Sequence, residues 1–152
     1  MPQQAIDIDA AARVLLTLTR RMGREYTAAA ESGTMAAGEI VEDMSLMPAW
    51  APGKYSVGAV RQKDGQPYRC VIEHDSTINT DWVPGVAYTV WVIYHATTPA
   101  GALPFARPVG GASDAYKRGE YILWTDGMTY TPIRDGVSHT PDEYTADWEV
   151  VS

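Results

Sequence analysis

An internal repeat constrains this chain more than any other feature, because it divides the C-terminal part into two small related units. Both copies contain the pattern Y-x2-G, then D-G-x2-Y, then P-x6-W. The first copy carries it at Tyr55, Gly58, Asp64, Gly65, Tyr68, Pro84 and Trp91. The second copy carries it at Tyr116, Gly119, Asp126, Gly127, Tyr130, Pro141 and Trp148. Each copy spans only about 40 residues, a size at which a few large side chains must supply most of the core.

The aromatic composition fits such cores, with 9 Tyr and 5 Trp but only 1 Phe. Trp and Tyr combine a flat apolar face with a polar edge, which suits small β cores and half-exposed recognition surfaces. We expect Tyr55, Tyr68 and Trp91 to lie in the core, with contact to a ligand as the alternative. The Gly and Asp-Gly positions predict tight turns.

Charge and segment patterns exclude several classes of partner. The 152 residues include 12 basic and 19 acidic side chains, a net charge of −7 that disfavours nucleic acid and anionic membranes. No apolar run approaches the roughly 20 residues of a membrane span, and no secretory signal is recognisable, so we expect a soluble protein that is not exported by that route. The lone Cys70 excludes an internal disulfide and a multi-cysteine zinc site.

The N-terminal segment is predicted to be helical. Residues 5–31 place apolar side chains on one stripe, which consists of Ala11, Val14, Leu15, Leu18, Met22 and Tyr26. Asp7 or Asp9 is expected to cap the start of this helix, and Gly33 follows its end. A second helix is predicted from Thr34, as its N-cap, to Leu46. The long stripe must pack on its own chain or on further copies, so we interpret residues 1–47 as an attachment or oligomerisation segment.

From Trp50 onward, short aromatic and β-branched runs replace the helical pattern. They predict strands at 55–60, 68–72, 90–94, 116–124, 130–133 and 148–151. The predicted fold class is therefore α+β, with the N-terminal helical segment followed by two small antiparallel three-stranded β modules. The predicted boundaries are 48–95 for the first module, 96–113 for a Pro/Gly connector and 114–152 for a second, degenerate copy.

The first copy also contains motifs of a known family. It reads W-x-P-G-x-Y-x-V-G from Trp50, G-x2-Y-R-C from Gly65, H-x-S from His74 and D-W-x-P from Asp81. This stretch resembles the carbohydrate-binding modules of families five and twelve, the small chitin-binding type found in phage and prophage tail proteins. The resemblance covers residues 50–94 well and residues 115–151 in part. It implies an antiparallel module that presents aromatic side chains to a polysaccharide.

Trp82 is the residue in the first copy best placed to contact a glycan. It lies in a turn-rich stretch, where a bulky aromatic side chain gains little from burial. Sugar rings stack on indole, and their hydroxyls need polar partners, which Asp81, Asn79 and His74 can supply. Tyr88 is a second candidate, and simple packing of Trp82 is the alternative.

The second copy departs from the first in two ways that weaken its case for glycan binding. It lacks the insertion that carries Trp82, and a constant offset places Gly111 where the first copy has Trp50. We therefore interpret it as a spacer or docking unit, although Trp124 and Tyr121 leave glycan binding open.

Signatures of catalysis are weak throughout. His74, His95 and His139 lack the spacing of metal ligands, and Ser45 and Ser113 lack a nucleophile motif. The pairs Glu42-Asp43 and Asp142-Glu143 have the residue types of a glycosidase but little room for a cleft. We expect no enzymatic activity, no metal and no cofactor.

Together with these features, the resemblance implies a non-catalytic phage virion protein of the tail fibre or baseplate, which we expect to be made in the host cytoplasm. Its expected partners are a bacterial surface or cell-wall glycan, other phage structural proteins and further copies of itself. The alternative is a purely structural decoration or connector protein whose modules contact other proteins. A detached binding part of a cell-wall hydrolase is a third interpretation.

Overall fold

The computed structural model describes residues 7–110 and 112–151. It confirms the α+β class, because a long helix precedes small, mostly antiparallel sheets. The helices are α1 (Ile8–Glu31) and α2 (Ala37–Glu42). The strands are β1 (Lys54–Tyr55), β2 (Val60–Lys63), β3 (Gln66–Cys70), β4 (His74–Asp75), β5 (Trp91–Ile93), β6 (Leu103–Pro104), β7 (Ile122–Leu123), β8 (Thr129–Pro132) and β9 (Trp148–Val151).

Helix α1 ends at the predicted residue, Glu31, and starts after one of the two predicted caps, Asp7. The Asp7 side chain accepts a hydrogen bond from the Ala10 amide at 3.0 Å, and this cap fixes the first turn. Gly33 follows the C-cap Ser32 with a φ of 78°, a conformation that favours glycine. Residues 5 and 6 of the predicted helix lie outside the described part of the chain.

Only the C-terminal end of α1 packs on the rest of the chain. Tyr26 and Ala30 are buried against Ile40, Met47 and Val60. The Tyr26 hydroxyl donates to the Ile40 carbonyl at 2.6 Å, and burial raises the pKa of Tyr26 to about 12. The apolar side chains nearer the N-terminus of the helix stay exposed, namely Ile8 (77%), Val14 (58%), Leu15 (65%), Leu18 (49%) and Met22 (54%). The predicted stripe therefore has a partner within this chain at one end only.

The second helix is shorter than predicted. Thr34 is not its N-cap, because the Thr34 hydroxyl instead donates to the Ala29 carbonyl at 3.0 Å. The helix starts after Ala36, whose amide donates to the Glu39 carboxylate at 2.8 Å. Helix α2 ends at Glu42, and a 3₁₀ turn over Met44–Leu46 completes the segment before Pro48.

The first unit forms the antiparallel sheet β2-β3-β5 and the separate pair β1-β4. Asp64 and Gly65, at φ values of 51° and 74°, form the predicted two-residue hairpin turn between β2 and β3. Tyr55, Tyr68 and Trp91 are 7%, 7% and 1% exposed, which confirms their predicted place in the core. Cys70 is fully buried beside them, and burial raises the pKa of its thiol.

The second unit forms a four-stranded sheet in the order β6-β7-β8-β9. Three of its strands are antiparallel, as predicted, and β6 adds a parallel edge beside β7. Its core contains Tyr116, Ile122, Val137 and Trp148. Strand β6 comes from the segment 96–113, which the sequence analysis assigns to the connector.

Strand registers confirm the repeat in detail. Tyr68 pairs with Ile93 in the first sheet, and Tyr130 pairs with Val150 at the matching place in the second. The Trp91 and Trp148 indole nitrogens each donate at 3.1 Å to the carbonyl nine residues earlier. The hairpin turns differ by one residue, Thr125, because Trp124 pairs with Met128 where Lys63 pairs with Gln66.

The repeat also extends further toward the N-terminus than the sequence pattern shows. Pro104 pairs in parallel with Leu123 as Ala49 does with Gln62 in the first unit. Trp50 follows Ala49 in the chain and Phe105 follows Pro104, so Phe105 is the structural equivalent of Trp50. The alignment of Gly111 with Trp50 was therefore wrong, since a constant offset does not allow for the longer loop after Phe105. Gly111 itself lies outside the described residues.

We expect the second unit to lose stability in acid through Asp147. The Arg134 guanidinium and the His139 ring, with Nε2 at 2.8 Å, contact this buried carboxylate and hold its pKa below the usual value. A lowered folded-state pKa stabilises the fold above the unfolded-state pKa, and this contribution is lost as the pH falls through the folded-state pKa. Asp147→Asn should therefore make the acid dependence of unfolding shallower, as followed by tryptophan fluorescence. Glu149→Gln, an exposed carboxylate on β9, is the control, and an unchanged slope for Asp147→Asn would contradict the assignment.

Candidate functional site

The predicted binding residues lie in two places on the first unit. Trp82 lies beside His74 and Asn79, with the exposed Asp81 immediately before it in the chain. Tyr88 lines a separate cavity at the boundary with the second unit. We call the first place the Trp82 corner (Trp82, Asp81, Asn79 and His74) and the second the inter-unit cleft.

A hydrogen-bonded turn builds the Trp82 corner. The Asp75 carboxylate accepts from the Thr77 amide at 2.9 Å and from the Thr77 hydroxyl, and these bonds hold the pKa of Asp75 below its usual value. The backbone amide of Asn79 then donates to the Asp75 carbonyl at 2.9 Å, and the backbone amide of Trp82 donates to the Asn79 backbone carbonyl at 3.0 Å. This bonding gives the polar loop a defined shape and places Trp82 at its end.

Trp82 is half-buried, so part of its side chain packs on the core and part stays accessible. Its indole packs on the core cluster around Trp91 and lies edge-on to the His74 ring at 5.5 Å. Its backbone carbonyl accepts the Trp91 indole hydrogen bond. The rest of the side chain stays accessible beside the exposed residues Thr80 and Asp81.

His74 lies beneath Trp82 in the core and not at the exposed rim. It is 7% exposed and packs edge-on against Trp91 at 5.5 Å. Its Nδ1 lies 2.7 Å from the Ile72 carbonyl, which assigns the ring proton to Nδ1. Its Nε2 has no hydrogen-bond partner among the described residues. Of the predicted polar residues, Asn79 and Asp81 remain as contacts for a ligand at the surface.

The second unit has a backbone equivalent of Trp82, contrary to the sequence interpretation. In the first unit, the Trp82 carbonyl accepts the hydrogen bond of the Trp91 indole. In the second unit, the His139 carbonyl accepts the hydrogen bond of the Trp148 indole in the same way. Val137 bridges Tyr116 where His74 pairs with Tyr55. Only one residue, Ser138, separates Val137 from His139, so the second unit lacks the polar turn with Asn79 and Asp81.

The inter-unit cleft is a cavity of about 360 Å³ between the first sheet and the segment that contains β6. Four aromatic side chains line it, namely Tyr68, Tyr88, Trp91 and Phe105. The Gln66 side-chain amide donates to the Pro104 carbonyl at 2.8 Å and fastens the first hairpin to β6. Gly85, with a φ of 83°, lets the backbone approach the Tyr68 hydroxyl, since a Cβ there would lie 3.1 Å from that oxygen.

The charged side chains that line the cleft are balanced. Lys63 and Arg107 are the cations, and Asp64 and Asp114 are the anions. Lys63 pairs with Asp64, and Arg107 contacts both carboxylate oxygens of Glu143 at 2.9 Å. Asp114 is buried and accepts from the Val109 amide at 2.7 Å. Burial, with the carboxylates of Asp64 and Asp114, raises the pKa of Tyr68 to about 12, so its hydroxyl stays a donor.

Sequence reasoning missed Phe105, Arg107 and Asp114 as lining residues of a site. They lie in or beside the segment interpreted as an irregular connector. One signal was available in the sequence, since Phe105-Ala106 matches Trp50-Ala51. The structure supports this match, because the backbone amide of each alanine donates to the tyrosine hydroxyl of its own unit. The match depends on a loop of different length in the second unit, which a fixed offset conceals.

The described part of the chain has neither a metal-binding cluster nor a membrane-spanning helix. Residues 7–110 and 112–151 contain no group of three or more His, Cys, Asp or Glu that could hold a metal ion, and no helix there is long and apolar enough to cross a membrane. The Thr140 amide and Arg107 hold the pKa of Glu143 below its usual value, whereas a glycosidase acid needs a raised one. Comparison with protein-family models and with curated proteins finds no match for the chain.

Proposed function

We propose that the chain is a non-catalytic phage virion protein of the tail fibre or baseplate that binds a bacterial surface or cell-wall glycan. The observation that carries the proposal is the half-buried indole of Trp82, next to a polar turn that the second unit lacks. The sequence resemblance over residues 50–94 supports the same ligand class. In this proposal the protein needs no cofactor and binds neither nucleic acid nor membrane.

The chemistry of the Trp82 corner suits a sugar. The C–H face of a pyranose ring stacks on an accessible indole. Its hydroxyls accept hydrogen bonds from amide N–H groups and donate to carboxylate oxygens. Asn79 and Asp81 provide those groups beside Trp82. A single aromatic platform binds weakly, so retention on a polymer depends on several sites acting together.

Trp82→Ala is expected to abolish retention of the protein on an insoluble glycan. The variant removes the stacking surface and leaves the backbone carbonyl that accepts the Trp91 indole hydrogen bond. The measurement is a pull-down on chitin, peptidoglycan and host cell walls, with circular dichroism to confirm folding.

The matched control is Tyr144→Ala, which removes an exposed aromatic side chain (55%) from the second unit. Trp82→Tyr should retain part of the binding, because it keeps an aromatic face. Equal retention of Trp82→Ala and the wild type would remove the Trp82 corner from the proposal. No retention of the wild type on any of these polymers would overturn glycan binding itself.

The exposed face of α1 supports a second candidate function, that of a structural virion protein. Ile8, Leu15 and Met22 recur every seven residues, with Ala11 and Leu18 between them, which is the spacing of a coiled-coil seam. The four large side chains of this seam, those of Ile8, Leu15, Leu18 and Met22, are 49–77% exposed in the single chain. In this proposal α1 joins further copies of the chain or other virion proteins, and a second copy is the occupant we favour, since a heptad seam is complementary to itself.

A further inference from the structure

We propose that the inter-unit cleft is a second glycan subsite that accepts a neutral pyranose, and that the second unit completes it by supplying one wall. This inference rests on the proposed glycan-binding function and assigns to it a site separate from the Trp82 corner. It also gives the second unit a role in binding although that unit lacks the polar turn.

The size and lining of the cleft fit a small sugar ligand. Its volume of about 360 Å³ lies in the range of ligand pockets, which often form at boundaries between units. Tyr88 and Phe105 are half-buried and present the accessible aromatic surface of the cleft, whereas Tyr68 and Trp91, at 7% and 1% exposure, contribute little surface. Aromatic faces bind the C–H groups of a pyranose, and the Tyr68 hydroxyl and neighbouring polar groups can bond its hydroxyls.

The charged side chains that line the cleft are already engaged within the protein, which favours a neutral ligand. The lining cations Lys63 and Arg107 are each paired with a carboxylate of the protein. The buried Asp114 is held by the Val109 amide. A charged sugar would have to break these pairs or remain uncompensated in a half-enclosed space, which costs free energy. A neutral ring needs only hydrogen bonds.

The second unit creates the cleft by covering the first sheet. Tyr68 is 7% exposed, whereas its equivalent Tyr130 in the second unit is only partly buried. The covering segment carries Phe105, and the Gln66 bond to Pro104 holds it in place. Neither unit alone has both walls.

The test is a titration of the full chain with three soluble oligosaccharides. The neutral one is an N-acetylated chito-oligosaccharide, the cationic one is the deacetylated form of the same oligosaccharide, and the anionic one is oligogalacturonate. We expect the neutral ligand to bind with an affinity that changes little with salt. Tyr88→Ala should weaken it about tenfold, the loss expected for one aromatic contact, and Tyr88→Phe should restore it. Preference for a charged ligand, with affinity that falls in high salt, would overturn the assignment of a neutral sugar.

Trp82→Ala separates this inference from the proposed function. If Tyr88→Ala binds like the wild type while Trp82→Ala does not, the cleft is only a packing gap and the Trp82 corner stands as the site. If the wild type binds none of the oligosaccharides, the cleft assignment is overturned. The insoluble-glycan pull-down then decides the proposed function independently. Tyr144→Ala serves again as the control.

Discussion

Replacing Trp148 with alanine is expected to unfold the second unit. Trp148 is 6% exposed, and its indole packs edge-on against Tyr116 at 5.8 Å and Phe105 at 6.3 Å. Removal of a buried Trp costs about 3–5 kcal/mol, which is comparable to the whole stability of so small a unit. Limited proteolysis should then cleave the chain within residues 103–151, and the cooperative thermal transition of this unit should disappear.

The same variant distinguishes the two proposed binding places. The core around Trp91 is built from residues of the first unit, so Trp82-dependent retention on insoluble glycan should persist. Binding in the inter-unit cleft should be lost, because Phe105 would no longer form its wall. Trp124→Ala, which removes a half-exposed Trp near β7, is the matched control and should stay folded. A protease-resistant Trp148→Ala protein would show that this side chain is not essential to the core.

The double substitution Leu15→Ser and Leu18→Ser is expected to abolish self-association of the chain. These residues, 65% and 49% exposed, lie at consecutive positions of the seam on α1 and belong to none of the three core clusters of the described residues. Linked binding sites gain about 10²–10⁴ in avidity, so loss of the oligomer should lower retention on an insoluble glycan by a similar factor. Light scattering and the pull-down measure the two effects on one sample.

Leu16→Ser is the matched control, because Leu16 is equally apolar and 50% exposed but lies off the seam. A wild-type protein that is monomeric at micromolar concentration would contradict self-association through α1. Point substitutions are preferable to deletion of residues 1–45, since Tyr26 and Ala30 belong to a core cluster with Met47 and Val60. Deletion would expose that cluster and confuse unfolding with dissociation.

Features with a local cause could be predicted from the sequence. Asp64-Gly65 forms its turn because both residues tolerate positive φ, and Asp7 caps α1 because its carboxylate reaches the Ala10 amide. The repeat identified Tyr55, Tyr68 and Trp91 as core residues, since each has a counterpart at a fixed distance from a turn. Periodicity and turn chemistry carry this information within a few residues.

Features that depend on contacts between distant segments could not be predicted. Strand β6 has two residues and therefore no periodicity, and it exists because Leu103 and Pro104 pair with β7 across a long loop. His74 is a polar residue of the kind expected at an exposed rim, yet its pairing opposite Tyr55 directs its side chain into the core. The cleft requires Phe105 to meet Tyr68 and Trp91, which no local pattern encodes.

The free part of α1 determines how several copies would present their binding surfaces. Residues 8–22 extend about 22 Å from the body at 1.5 Å per residue, and the body is attached only at the C-terminal end of the helix. A bundle of parallel helices therefore places all bodies at the same end of the bundle, where they can bind one surface together. An antiparallel bundle sends the bodies to opposite ends, where they can only bridge two surfaces. The avidity gain expected above is thus available only to helices that share one direction.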